Sequence, residues 1–385
     1  MVFEHREKRV QERERSPEEI TQAVREEIGR RVNDRFGDHP ERGPDRTRFS
    51  FHGPEHPQEV LAHAKKIMAI AREHGVAGAN DEAELAVDVG ARAHDMVVRF
   101  REITDKSSPR YGEIDRYRGW ADRAPAPIKD LLAQEGVSGN EQASWDELEK
   151  ILDEHDPDKK IYTPRVRELA RATIAATYPD APFPFPVFPE GSTTIQGRDL
   201  VPYLFKTADG RPSGLKFSQP ELDDKELTSP IAVTAVACGD LSYGGKMNAE
   251  GFQKHGDQEW AETHPLMVRE IEAGIAQKTD AESAKEKARI AKSMIGWQGA
   301  QPGFLLWQKI RFENNINRYH NTRFSNAMHQ EYNKFDDNIL AAADRVDAFK
   351  NFSNLGNESF FTNSETADEA NRLFSEMIQK VHVRA

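Results

Sequence analysis

Apolar side chains recur at helical spacing along most of the chain. Between residues 17 and 36 they stand at every fourth position, and Ser16 and Pro17 suit the cap and the first residue of a helix. The same spacing predicts further helices, over residues 57–74, 81–100, 126–135, 144–154 and 163–178, in several long segments within 257–350, and over 366–382. The pattern therefore predicts an all-α protein.

Two stretches depart from this pattern. Residues 179–230 are rich in proline, glycine and aromatic residues, which predicts an irregular insertion with a short hairpin around "TADGRPSG". Residues 231–237 alternate as a strand would, although their small alanines favour a buried helix. With a linker at 37–48, these breaks predict three parts, an N-terminal arm at 1–47, a main domain at 48–275 that contains the insertion, and a helical C-terminal extension at 276–385.

The first helix carries a narrow apolar stripe whose partner the sequence does not identify. Its members are Ile20, Val24, Ile28, Val32 and Phe36. A stripe of this kind docks on the main domain of its own chain or binds a partner. A homodimer through residues 20–36, or through the C-terminal helices, is therefore one of the alternatives.

Composition narrows the function. The chain has 385 residues and a formal net charge of −12, which argues against nucleic-acid polymers and anionic membranes as partners. Its single cysteine, Cys238, excludes a disulfide within the chain and a cysteine-based zinc site. No run of about 18 apolar residues and no apolar signal-peptide core are found, so the expected location is cytoplasmic.

Four side chains are candidates for one metal site. His56 stands at the start of the predicted 57–74 helix, and His94 and Asp95 stand near the end of the next. Antiparallel neighbours joined by a short connection place these ends side by side. Asp240 lies in an apolar run where a buried carboxylate needs a partner, which makes it the best candidate for a fourth ligand. His52, one turn before His56, is then left to donate a proton.

The order of these residues resembles a known family. "FHGPEH", followed 38 residues after His56 by "HD" and much later by an isolated aspartate, is similar to the HD-domain superfamily of metal-dependent phosphohydrolases. The run "FHGPEHPQEV" resembles the start of the helical core in cyclic-nucleotide phosphodiesterases. The resemblance implies an HD-domain helical bundle and supports a buried helix for "ACGDLSYGG". It implies His56, His94, Asp95 and Asp240 as metal ligands, with His52 as the general acid.

The same resemblance implies a reaction. A divalent ion (Mn, Fe, Zn, Mg or Ni) would activate a water that attacks a nucleotide or another small phosphoester, and Asp95 would help to orient that water. "SGNEQASWDEL" resembles the segment that follows the His–Asp pair in this family, and its Glu141 would brace His52 or the water. The cations that are candidates for binding the phosphate are Arg99, Arg101, Arg118 and Lys246.

Two other functions stay open at this stage. The family's tyrosine and asparagine beside the first histidine are Phe51 and Gly53 here, so a hydrogen bond that usually braces His52 is expected to be missing. A non-catalytic HD scaffold, which keeps a metal for folding and acts through residues 20–36 or the C-terminal helices, is one alternative. A di-iron HD oxygenase is the other. It needs further histidines between Asp95 and Asp240, and His155 is the only one, so one tightly held ion is expected, with at most a loosely bound second ion.

Overall fold

The computed structural model describes residues 15–37, 52–108, 110–117, 126–177 and 230–381. Most of these residues are helical, which confirms the all-α class. The helices are α1 Pro17–Phe36, α2 Glu55–Glu73, α3 Asp81–Ala93, α4 Ala126–Glu135, α5 Asn140–His155, α6 Pro164–Ala175, α7 Ile231–Leu241, α8 Ala249–Thr263, α9 Pro265–Glu272, α10 Ala281–Asn317, α11 Thr322–Glu331, α12 Phe335–Phe349, α13 Glu358–Thr362 and α14 Ala367–Lys380. The predicted insertion lies outside the described residues up to position 229.

The segment after α3 corrects the predicted helix over 81–100. The helix ends at Ala93, and two short antiparallel strands follow, β1 Phe100–Glu102 and β2 Ile114–Arg116. Side chains of α5 hold the backbone that connects α3 to β1. Ser144 Oγ accepts from the Val97 N–H at 3.0 Å, and Asn140 Oδ1 accepts from the Arg99 N–H at 2.5 Å. Residues 97–99 therefore form hydrogen bonds to α5 that are not helical.

Three helices, α2, α3 and α7, pack together at the centre of the molecule. Residues 231–241 form a helix, so the strand alternative for this run is wrong. Its small side chains permit a close approach to α2: a Cβ added at Gly239 would lie 2.9 Å from the Val60 carbonyl oxygen. This close contact fixes the position of the next residue, Asp240, beside the start of α2.

The N-terminal helix docks on the same chain, as one of the two alternatives predicts. The capping box of Ser16 and Glu19 is present at its start. Val24, Ile28 and Val32 are buried in a cluster with side chains of α3, α5 and α6. The predicted stripe is thus covered within the monomer.

Helix α10 links the centre of the molecule to the C-terminal helices. Its last turns contribute Phe312 and Ile316 to the cluster around α2 and α7. Its first half packs with residues of α12 and α14, among them Phe349 and Phe374. Within the described ranges, no helix has both the length and the apolar character that crossing a bilayer requires.

Candidate metal centre

Two histidines from neighbouring helices meet at the centre of the site. His56 lies in the first turn of α2 and His94 follows the last residue of α3, as the antiparallel arrangement predicts. Their Nε2 atoms are 3.3 Å apart, and both side chains are buried. His94 Nδ1 donates to the Ala91 carbonyl oxygen at 2.8 Å, which leaves Nε2 as the ring nitrogen that faces His56. His94 thus presents Nε2, and not Nδ1, to the site.

Two carboxylates face these imidazoles. Asp95 Oδ2 lies 3.6 Å from His56 Nε2 and 3.4 Å from His94 Nε2. Asp240 Oδ1 lies 3.3 Å and 3.6 Å from the same two nitrogens. His56, His94 and Asp95 form a group that can hold a metal ion. The structure places Asp240 against both histidines of that group.

The distances between the two histidines, and from each carboxylate to them, are close to those between the ligands of a tetrahedral ion. Four ligands at about 2.1 Å from a tetrahedral metal lie about 3.4 Å from one another. The five distances among His56, His94, Asp95 and Asp240 given above run from 3.3 to 3.6 Å. His56, His94 and Asp95 can therefore hold one ion, and Asp240 Oδ1 lies within 3.6 Å of both histidine nitrogens of that group.

The pKa values of the carboxylates follow from this arrangement. Burial opposes ionisation of Asp95, but the imidazoles of His94, His52 and His56 hold its pKa well below the usual value. Burial acts against ionisation of Asp240 in the same way, while hydrogen bonds from His56 and His94 lower its pKa to about 2. Both aspartates are therefore charged near neutral pH, as metal ligands must be.

His52 lies beside this group and is oriented by a carboxylate that the sequence did not indicate. Its Nδ1 contacts Glu262 Oε1, and its backbone N–H donates to Glu262 Oε2 at 3.1 Å. Its Nε2 is 3.5 Å from Asp95 Oδ2. Nδ1 is thus committed to Glu262, and Nε2 faces the candidate ion.

A buried arginine, also missed by sequence reasoning, completes this side of the site. Arg116 ends β2, and its side chain is 8% exposed. Its Nη1 lies 3.0 Å from His52 Nε2, and its Nη2 donates to Glu259 Oε1 at 2.5 Å. Glu259 and Glu262 stand three residues apart on one face of α8. This three-residue spacing is a sequence signal that could have indicated the pair, but acidic residues on exposed helix faces often have the same spacing.

Other predicted residues lie in different surroundings. Glu141 is buried in the first turn of α5, and its bracing role stays a prediction. Arg99 Nη1 donates to Ser138 Oγ at 3.4 Å, and Arg101 Nη1 donates to Glu135 at 2.8 Å. Lys246 pairs with Glu331 on α11. Arg118 lies outside the described residues. Substrate binding by these four cations stays a prediction.

A separate cavity of about 200 Å³ lies between α8, α10 and α12. On α8 it is lined by Gly256 and Asp257. Its buried Asp257 is already paired with Arg345, at 3.1 Å. The histidine and aspartate group is therefore the better candidate for chemistry. No family model matches the chain, and neither do curated proteins or solved structures.

Proposed function

We propose that this protein is a metal-dependent hydrolase of small phosphoesters, a nucleotide or a related phosphodiester. One observation carries the proposal. Two buried carboxylates, Asp95 and Asp240, have imidazoles as their hydrogen-bonding and ion-pair partners among the described residues, beside a further histidine that is oriented by Glu262. The resemblance of "FHGPEH…HD…D" to metal-dependent phosphohydrolases supports the reaction class.

The ligand set fits one divalent ion. His56, His94, Asp95 and Asp240 would hold it, since imidazole and carboxylate together suit Mn, Fe, Zn and Ni. When bound, such an ion supplies Lewis acidity, which polarises a phosphoryl oxygen and lowers the pKa of water. Other chemistry at the site must come from side chains of the chain itself.

His52 would carry the proton. Since Nδ1 is committed to Glu262, Nε2 is the atom that accepts or donates during the reaction. In the observed arrangement Nε2 lies 3.0 Å from Arg116 Nη1. It would then take a proton from the attacking water and deliver it to the leaving oxygen, while Glu262 stabilises the imidazolium.

The charge of the ligand set favours a diester over a monoester. Two aspartates and one divalent ion sum to zero, so the ion and its ligands together give an anionic substrate little net attraction. A phosphodiester carries one negative charge, whereas a monoester carries about two near neutral pH. We therefore expect diesters to be the better substrates.

Metal analysis combined with an activity screen tests the proposal. Purified wild-type protein is analysed for metals and assayed with bis-p-nitrophenyl phosphate, p-nitrophenyl phosphate and nucleotides, beside Asp95→Asn and His52→Ala. We expect Asp95→Asn to lose both metal and activity. His52→Ala keeps its metal and loses turnover by about 100-fold or more. The matched control is His329→Ala, because His329 is an exposed histidine of α11 that pairs with Glu313 of α10.

The same experiment separates the enzyme from its rivals. Equal activity in wild type and Asp95→Asn overturns the hydrolase. Metal in all variants except Asp95→Asn, with no turnover of any phosphoester, points instead to a metal-containing scaffold. Two irons per chain would favour an oxidative enzyme.

A further inference from the structure

We propose that the guanidinium of Arg116 occupies the position of a second cation and thereby restricts the centre to a single metal ion. The inference rests on the metal centre of the proposed function but not on its catalysis. It concerns the other side of the site, where His52, Glu259 and Glu262 surround Arg116.

The groups around Arg116 are those that bind metals. His52 offers an imidazole nitrogen at 3.0 Å from Nη1, and Glu259 and Glu262 offer carboxylate oxygens at 2.5 Å from Nη2 and 3.8 Å from Nη1. One imidazole with two carboxylates is a donor set that divalent transition metals accept. Asp95 Oδ2, 3.5 Å from His52 Nε2, lies between this group and the first.

The guanidinium supplies the charge that these carboxylates need. Burial lowers the pKa of Arg116, but Glu259 and Glu262 outweigh this effect and raise it above the ordinary value. A guanidinium does not lose its proton at any pH a protein survives, so this positive charge is permanent. Arg116 thus holds a fixed cation 3.0 Å from His52 Nε2, on the side of the site where a dinuclear centre would hold its second ion.

Removing the guanidinium should convert the centre from one that binds a single metal ion to one that binds two. Arg116→Ala removes the positive charge that lies beside Glu259 and Glu262 and leaves a space the size of its side chain next to His52. An uncompensated buried charge recruits a partner or destabilises the fold. A divalent ion is a partner of suitable size and charge. The variant should therefore bind two ions where wild type binds one.

The test is metal stoichiometry. Wild type and Arg116→Ala are dialysed against increasing Mn²⁺ and analysed by mass spectrometry of the metal, with electron paramagnetic resonance to detect coupling between neighbouring ions. We expect saturation at one ion per chain in wild type and two in the variant, a twofold rise. Arg116→Lys, which keeps a cation, should stay at one, and so should Arg101→Ala, since Arg101 is an exposed arginine of the neighbouring strand. Glu259→Gln added to Arg116→Ala should return the count to one.

Each outcome decides the inference. A folded Arg116→Ala that binds one ion, or a wild type that binds two, overturns it while leaving the proposed hydrolase intact. A wild type that binds no ion contradicts the metal centre itself. If Arg116→Ala loses its helical circular dichroism, Mn²⁺ should restore it. Failure of Mn²⁺ to do so also overturns the inference.

Discussion

Asp88 and Asp95 lie two helical turns apart in one segment, and the chain neutralises them in different ways. Asp88 faces cations that are always charged: Arg25 Nε at 2.7 Å, Lys65 Nζ at 2.9 Å and Arg92 Nε at 3.6 Å. Asp95 faces three imidazoles at 3.4–3.6 Å instead. Both carboxylates are largely shielded from solvent, so both need compensation.

The difference separates a structural ion pair from a ligand set. Arginine and lysine complete the electrostatics of Asp88 without any further group, and Asp257 with Arg345 repeats this arrangement near the cavity. Imidazoles compensate a carboxylate only when protonated, whereas neutral imidazoles and a carboxylate together form a set of electron pairs. The region around Asp88 is therefore complete in itself, and the region around Asp95 is suited to a cation from solution.

The largest expected effect comes from neutralising Asp95 and Asp88 in separate variants and comparing their metal affinity and stability. Asp95→Asn should lower metal affinity by more than about 100-fold, because even residues that only support metal ligands change affinity by 10–100-fold. Asp88→Asn should leave metal affinity unchanged and lower the free energy of unfolding by about 2 kcal/mol, since its cationic partners are partly exposed.

Metal analysis and urea denaturation, each with and without a chelator, check this pair of variants. A chelator should lower the stability of wild type and Asp88→Asn but not that of Asp95→Asn, because an ion that binds the folded state stabilises it. Equal loss of metal in both variants would show that the two aspartates do not differ as their partners indicate.

A smaller effect is expected from the helix contact that places Asp240. Gly239→Ala puts a Cβ 2.9 Å from the Val60 carbonyl oxygen, so α7 must move away from α2. We expect a loss of about 1–3 kcal/mol in stability, the usual cost of overpacking. Metal affinity should fall about tenfold, as it does when a ligand's support is disturbed.

Gly299→Ala is the matched control. It lies inside α10, and an added Cβ there meets nothing within 4 Å. Replacing glycine by alanine in a helix interior should stabilise the protein by about 1 kcal/mol. Denaturation curves with the same sign for both variants would contradict a close contact at Gly239.

Local patterns predicted the parts of this fold that local physics determines. The cap at Ser16 and the apolar stripe of α1 follow from spacing and end signals, and so do the positions of α2 and of the start of α3. The meeting of His56 with His94 followed from one further step, since a short connection makes neighbouring helices antiparallel. The histidine pair was therefore accessible from the sequence.

The opposite side of the site was not accessible in this way. The strands over 100–102 and 114–116 have three residues each, too few for alternation to appear, and so the sequence predicted a longer α3. Arg116 and Glu259 meet across 143 positions of the chain. No local period connects them, and the sequence instead indicated Arg118, which lies outside the described residues.

The smallest expected effect concerns Cys238, which shares α7 with Asp240 and contrasts with it. Burial raises the pKa of the Cys238 thiol to about 12, whereas the imidazoles lower that of Asp240 to about 2. At pH 8 the thiol is therefore protonated, and since the thiolate is the reactive form, labelling by a disulfide reagent should be about a thousandfold slower than for an exposed cysteine.

The pH profile of labelling tests the cause of this slowness. A group with a raised pKa gains its reactive, charged form only as pH climbs towards that value, so the rate should rise about tenfold per pH unit from 8 to 10 without a plateau. The labelling rate of an exposed thiol levels off near pH 9.

A chelator separates the contribution of the ion from that of the apolar contacts. Cys238 packs in the apolar cluster of α2 and α7, so removing an ion from the nearby Asp240 should change the labelling rate of Cys238 by less than about tenfold. Rapid labelling at pH 8 in the native protein would contradict the burial of α7, and a large acceleration by the chelator would mean that the ion, rather than the apolar contacts, holds this helix in place.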